Sequence, residues 1–377
     1  MKRKIYLHVF LLTLAEALLF SVNSPFIEKL IGTELVGTVY SLGSLATLLL
    51  LLYLPRVLER VRAGDALSVL LLAGALGATG VAFAGNPWIF GFLIIFLAIP
   101  QVTPAVSDIY IEKVSLIRDR GKTIGSEFTW MNLAFTISPI IAGFIIARSG
   151  FNTLYIISAL VFILALFASR TFTKISTPHI RKGNLWRGLK SAWTNNDLRH
   201  VLILCFLLQF FFSWMVIYTP LYLIASFGLS FESLGIIFSI MLLPYLLLEY
   251  PLGRLADGKL GEKELLGCGF VLMAITVGII PLIHTGSLII WTIILFGTRI
   301  GAAMVESMSA TYFYKKVRSD DADSPALFRD MRPLAYLVAP LMASFVINKF
   351  GTSTLFPILG IIMLLGAFIS TRLHDTR

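Results

Sequence analysis

The sequence predicts an all-α polytopic membrane protein, with twelve transmembrane helices arranged as two pseudo-symmetric six-helix bundles. Three observations predict it: a composition poor in charge, apolar runs of bilayer-crossing length, and a long-period repeat between the two halves. Residues of the AVILMFWYC set make up 57% of the 377 positions and charged residues only 14%, with a mean hydropathy of +0.85. A soluble chain carries roughly 25% charge, so this one lacks the polar surface to cover a globule in water. Its apolar residues fall in runs such as Leu48–Leu54, Phe90–Ile99 and Val201–Phe212. A helix needs about 20 such residues to cross roughly 30 Å of hydrocarbon.

Apolar windows bounded by Gly, Pro and charged breaks place the helices, in order, at 5–29, 34–54, 66–84, 88–111, 124–148, 153–169, 200–224, 231–252, 264–283, 288–313, 331–348 and 354–371. The first follows Met1-Lys2-Arg3-Lys4 and superficially resembles a signal peptide. Glu16 in its middle and the lack of a small-residue cleavage site predict instead a retained helix. One long polar segment, 170–199, carries Arg170, Lys174, Arg181, Lys182, Arg187, Lys190 and Arg199. It divides the chain into an N-terminal bundle (1–169), a basic linker (170–199) and a C-terminal bundle (200–377).

Basic residues set the expected orientation. With a cytoplasmic N-terminus, the tails and even-numbered connections hold 27 of the 31 Lys and Arg residues. The opposite side holds Lys29, Arg148 and Lys349, and Arg299 alone lies within a helix. That bias predicts both termini and the 170–199 linker inside, in the inner (cytoplasmic) membrane of the cell. The formal charge of +10 therefore belongs to topology and anionic headgroups, and nucleic acid is excluded as a partner.

The halves repeat. Leu133–Gly150, LAFTISPIIAGFIIARSG, aligns without gaps to Leu334–Gly351, LAYLVAPLMASFVINKFG. Gly37-Thr-Val-Tyr-Ser41 aligns with Gly235-Ile-Ile-Phe-Ser239, and in the same register Pro55 faces Gly253 while Glu59 faces Asp257. Such self-similarity predicts parallel repeats about an axis along the membrane normal. Cys205 and Cys268 both sit in apolar runs, without disulfide or metal-ligand spacing. There is no Walker A loop, nucleophile elbow or Gly-rich nucleotide fingerprint, so the expectation is a protein that is not an enzyme and uses neither cofactor nor metal.

Gly253-Arg-Leu-Ala-Asp-Gly-Lys-Leu-Gly-Glu-Lys263 resembles the G-x-L-a-D-r-x-G-r-r loop of the major facilitator superfamily (MFS), with one extra residue before the second Gly. The first-half loop, Pro55-Arg-Val-Leu-Glu59-Arg60-Val-Arg62, departs from the pattern, its first Gly being Pro and its Asp being Glu. Arg118-Asp-Arg-Gly121 is similar to the short basic turn after the family's fourth helix. Ser138-Pro-Ile-Ile-Ala-Gly143 only partly resembles the G-P-x-x-G-G antiporter motif, and reads as a proline kink with small residues for helix packing. The resemblance spans essentially the whole chain and implies the MFS fold around a midplane cavity. It further implies a cytoplasmic gate at Glu59, Arg60, Gly253, Asp257 and Gly261, the Asp lying near the positive N-terminus of a helix.

In that superfamily helices 1, 4, 7 and 10 line the cavity. Here they carry Glu16 and Asn23, Gln101 and Asp108, Gln209, and Arg299 and Glu306. The three pairs are spaced i, i+7, which returns to nearly the same helix face. Glu16, Gln101, Gln209 and Arg299 fall within about 5 Å of the predicted midplane, and Asp108 about 13 Å toward the cytoplasm, at 1.5 Å per residue, where it reads almost equally as a cavity or a solvated gate residue. Intramembrane charge is costly and normally faces a cavity or a partner. Glu16 is the expected partner of Arg299 across the cavity. Glu127 and Glu249 read as gate or interface charges, His8 and His284 as interfacial, and Phe210-Phe-Phe212 with Trp214 mostly as lipid or packing surface, with one aromatic able to face substrate.

The implied activity is secondary active transport of a small solute by alternating access. Proton coupling is expected, because burial raises a carboxylate's proton affinity and a nearby guanidinium lowers it again. The expected partners are the solute, protons and the bilayer, with the protein a monomer. Multidrug-type efflux leads slightly, for the aromatic-rich helices. Proton-coupled uptake of a metabolite or sugar, and a non-transporting MFS-like receptor or scaffold, are the alternatives.

Overall fold

The computed structural model describes residues 2–84, 87–114, 120–173, 194–257, 261–317 and 323–374. Among them the secondary structure is entirely helical. Helix α1 runs Lys2–Phe20 and resumes as Asn23–Ile31 after a 41° bend. Pro25 explains that bend: it has no N–H for the Ser21 carbonyl, and its ring crowds the preceding turn. Then follow α2 (Thr33–Leu58), α3 (Ala63–Phe83) and α4 (Trp88–Val114). The continuous stretch Arg120–Ser169 breaks at Gly150 into α5 (120–149) and α6 (151–169).

The second half comprises α7 (Asn196–Phe227), α8 (Phe231–Met241, Leu243–Leu247 and Glu249–Asp257), α9 (Glu262–Ile279), α10 (Leu288–Lys316), α11 (Asp323–Phe350) and α12 (Leu355–Ser370). The Asn195 side chain caps α7, its Oδ1 accepting from the N–H groups of Asp197 and Leu198 at 3.0 and 3.2 Å. Pro244 and Pro251, which lack N–H groups, stand by the interruptions of α8. Nine helices among the described residues are long and apolar enough to cross a membrane, or ten with the bent α1 as one span. Dividing the long span at Gly150 and adding the shorter apolar stretch Phe231–Leu247 matches the twelve segments expected. The protein is an integral membrane protein.

The chain forms two compact units, Met1–Ile180 with Ser230–Ser239, and Arg181–Leu229 with Ile240–Arg377. In the first, α3 packs on α4 and on the α5–α6 stretch, α2 and α1 pack on α4, and α1 lies along α5–α6. In the second, α9 packs on α10 and α12, α8 and α7 pack on α10, and α7 lies along α11 and α12. These pairings coincide when six is added to each helix number, so the sequence repeat is also a packing repeat. Large apolar side chains such as Leu49, Ile289 and Phe368 remain exposed, as a hydrocarbon surrounding requires.

Polar ties fasten α1 to α6 at three levels. His8 Nδ1–H donates to the Ala165 carbonyl at 3.0 Å, the Ser158 hydroxyl to the Ala15 carbonyl at 2.7 Å, and the Tyr155 hydroxyl to Asn23 Oδ1 at 2.7 Å. A carbonyl can only accept, so His8 Nε2 is left to accept from the Ser107 hydroxyl of α4, 3.2 Å away. His8 is therefore fully buried and holds three helices together, where the sequence suggested an interfacial position. Hydroxyls such as Thr47, Thr103 and Ser138 bond carbonyls four residues back on their own helices, which satisfies them without water.

The proline-and-small-residue stretch of α5 meets the start of α8 at backbone contact. A Cβ on Gly143 would stand 2.3 Å from the Phe231 carbonyl oxygen, and one on Gly235 would stand 2.6 Å from that of Pro139. Ser239 Oγ accepts from the Ile140 N–H at 3.1 Å beside Pro139. At the repeat-related Pro340, Trp214 Nε1–H and the Tyr218 hydroxyl of α7 donate to the carbonyls of Ala339 and Pro340 at 2.7 and 3.1 Å. Phe210, Phe211 and Trp214 are consequently interior to the second unit, and the lipid part of their sequence reading falls away.

Candidate functional site

All of the expected cavity residues lie among the described residues. In the first unit, Glu16 is half-buried on α1. Asn23 lies beyond the bend and is buried against Tyr155, so the i, i+7 argument for a face shared with Glu16 does not survive the interruption between them. Gln101, between Pro100 and Pro104 of α4, donates from Nε2 to the Leu97 carbonyl at 3.1 Å. Its Oε1 is buried with no hydrogen-bond partner among the described residues. Asp108 is exposed on the same helix, within electrostatic range of Glu127 on α5. Two carboxylates therefore face one neighbourhood at that end of the unit.

The second unit concentrates its chemistry around α10. Arg299 is only 2% exposed. Its guanidinium carbon stands 5.6 Å from the ring centroid of Phe211 and 5.4 Å from that of Phe212, both on α7. The Nε atom is buried with no hydrogen-bond partner among the described residues. Phe212 in turn meets Tyr245 of α8 at a centroid distance of 6.4 Å. The Tyr245 hydroxyl lies within electrostatic range of both Arg299 and Glu306. Glu306 is exposed, and it also acts on the buried Cys205 of α7. Gln209 is half-buried on α7, two residues before Phe211.

The structure thus brings Arg299 and Glu306 to one neighbourhood and adds Phe211, Phe212 and Tyr245 to it. Tyr245 was not singled out in the sequence. Its one signal in the sequence was its place beside Pro244, where a helix is readily interrupted. Glu16, expected to pair with Arg299, belongs to the first unit and Arg299 to the second.

Of the gate set, Glu59 and Arg60 are exposed just past α2. Gly253 lies in the last segment of α8, and Gly261 precedes α9 with extended backbone, φ −76° and ψ 168°. The Asp257 and Glu249 side chains, residues 258–260, residues 118 and 119 with the side chains of 118–121, and most of the linker lie outside the described residues. At the same ends of the second unit, Asp197 pairs with Lys316 Nζ and His374 Nδ1, both at 2.8 Å, while Glu262 pairs with Lys315. These contacts tie the starts of α7 and α9 to the end of α10 and the tail beyond α12. Among the described residues no group of His, Cys, Asp and Glu is placed to hold a metal ion.

Comparison with known proteins places this arrangement. The Major Facilitator Superfamily profile matches residues 5–325 and again 223–376. The chain belongs to the major facilitator superfamily. No curated protein sequence matches it significantly. Among solved structures it is similar to a mutant form of the nucleoside transporter NupG, at 15% identity and TM-score 0.79 over 99% of both chains. It is also similar to the xylose transporter XylE from E. coli in a partially occluded inward-open conformation, at 14% identity and TM-score 0.74, covering 100% of this chain and 98% of that one. A POT family transporter in complex with 5-aminolevulinic acid matches at 11% identity and TM-score 0.79, covering 98% and 94%. At these identities the likeness is one of fold, and the fold of this MFS protein is that of a membrane transporter.

Proposed function

We propose that the protein is a secondary active transporter that moves a small solute across the cytoplasmic membrane by alternating access, driven by protons. The observation that carries this reading is Arg299, a buried guanidinium within cation–π distance of two aromatic rings, in an apolar helix. Ionisable groups in that position are costly and are retained where a pathway needs them. A receptor or scaffold would have no use for the expense. Gln101, with a buried acceptor that the described residues leave unfilled, supports the same reading from the first unit.

Glu16 is the proposed proton carrier, as a half-buried carboxylate in the middle of α1. The Gly253–Gly261 loop, with Asp257, is proposed as the cytoplasmic gate, both termini and the linker lying on that side of a monomeric protein. Efflux of an amphipathic compound remains the first reading of direction. Uptake of a polar metabolite is the second, favoured by the nucleoside and xylose transporters among the structural neighbours.

Glu16→Gln tests the coupling. Proton-driven accumulation should vanish while solute exchange between the two sides persists. Accumulation at the wild-type level would remove Glu16 from the mechanism. Asp257→Asn should slow transport at normal expression and fold, and an unchanged rate would remove the gate assignment.

A further inference from the structure

We infer that Arg299 is the recognition site for an oxyanion, so that the transported solute carries a carboxylate or phosphate group; this rests on the transporter reading and names its substrate class. The guanidinium is planar, with two faces available to rings and an edge of N–H donors available to acceptors in its plane. Phe211 and Phe212 lie 5.6 and 5.4 Å away and satisfy it through cation–π contact. The rings of Phe211 and Phe212 offer no in-plane acceptor, and the Tyr245 hydroxyl accepts one hydrogen bond from the guanidinium. The Nε–H lies on the edge, is buried, and finds no acceptor among the described residues.

An orphaned donor on a buried cation costs far more than an orphaned neutral group. Side-on carboxylate or phosphate binding uses Nε–H and one terminal N–H together, as two parallel charge-assisted bonds. An oxyanion therefore supplies what the aromatic contacts leave out. Lipid headgroups are the wrong source: Arg299 lies eleven residues into α10, about 16 Å from its Leu288 end at 1.5 Å per residue. The carboxylate on the same helix, Glu306, is seven residues on, about 10.5 Å along the axis. Glu306 and Arg299 both lie within electrostatic range of the Tyr245 hydroxyl.

The Phe212 and Tyr245 rings, 6.4 Å apart, give the acid an apolar neighbour. Benzoate and phenyl phosphate are thus suitable probes, with benzamide as the neutral isostere. The test measures thermal stabilisation of the purified full-length protein by each probe, for the wild type, Arg299→Lys and Arg299→Gln. Benzoate or phenyl phosphate should stabilise the wild type and benzamide should not, and the stronger of the two acids identifies the group. Arg299→Gln should weaken acid binding about tenfold or more, while Arg299→Lys should keep part of it, since Lys holds the charge without the fork.

Equal stabilisation by benzamide and benzoate, no stabilisation by either acid, or undiminished acid binding in Arg299→Gln would overturn the inference. Should Arg299→Gln fail to fold, the wild-type comparison of acid with amide still decides. Flux of neutral solutes through proteoliposomes, with no response to acids, would sink the oxyanion site and leave the transporter reading intact. Acid binding without flux of any solute would do the reverse.

Discussion

Gly150 and Gly351 occupy matching ends of the repeat and share one backbone conformation, φ 77° and ψ 177° in the first and φ 82° and ψ 166° in the second. Gly32 repeats it between α1 and α2, at φ 81° and ψ 160°. Only glycine adopts this region without strain, at a cost of about 1–3 kcal/mol for other residues. A Cβ at either Gly150 or Gly351 would meet nothing within 4 Å, so the demand comes from the backbone alone. Gly150→Ala and Gly351→Ala should each lower unfolding stability in detergent by about that amount. Gly91→Ala, in a helix with the same open space, should not lower it. Equal responses at all three positions would contradict the conformational argument.

The aligned glycines, Pro139 with Pro340, and the order of helices were legible because hydropathy and local backbone rules are written into short windows. Helix ends were less so. The eleventh helix was expected from 331 and begins at Asp323, because a hydropathy window ends where polarity begins while the helix runs on into water. The bend in α1 was signalled by Asn23-Ser24-Pro25, yet an apolar window reads through it. The charged candidates were visible one by one. Their neighbours were not: Phe211, Phe212 and Tyr245 meet Arg299 only through packing of α7 and α8 on α10, which no spacing within one helix encodes.

Gly143→Ala and Gly235→Ala should each destabilise the protein by about 1–3 kcal/mol, because the added methyl meets a rigid backbone carbonyl and the helices must part. Thermal unfolding of the purified variants checks this. A neutral effect would mean that the α5–α8 contact yields without cost.

The Asn23–Tyr155 hydrogen bond separates a structural role from a substrate-contacting one. Tyr155→Phe removes the donor and leaves Asn23 buried, which should cost about 1–3 kcal/mol of stability. The apparent KM for solute should stay unchanged if Asn23 serves the α1–α6 tie. A large rise in KM without loss of stability would put Asn23 in the substrate path.

Asp197→Asn should loosen the ends of α7, α10 and the tail by breaking the pairs with Lys316 and His374. The Asp197 side chain is 13% exposed and its partners more so, which puts the expected loss at about 1 kcal/mol. The difference from wild type should shrink in high salt, where surface charge is screened. A loss that does not change with salt would point to packing instead.

Secondary active transport is tested most directly in proteoliposomes, with a ligand chosen by its stabilisation of the purified wild-type protein. Uptake of that ligand is followed with an imposed pH gradient, without one, and with the gradient collapsed by a protonophore. The account predicts accumulation above the external concentration only while the gradient stands. Equilibration at the same rate and to the same level under all three conditions would contradict it.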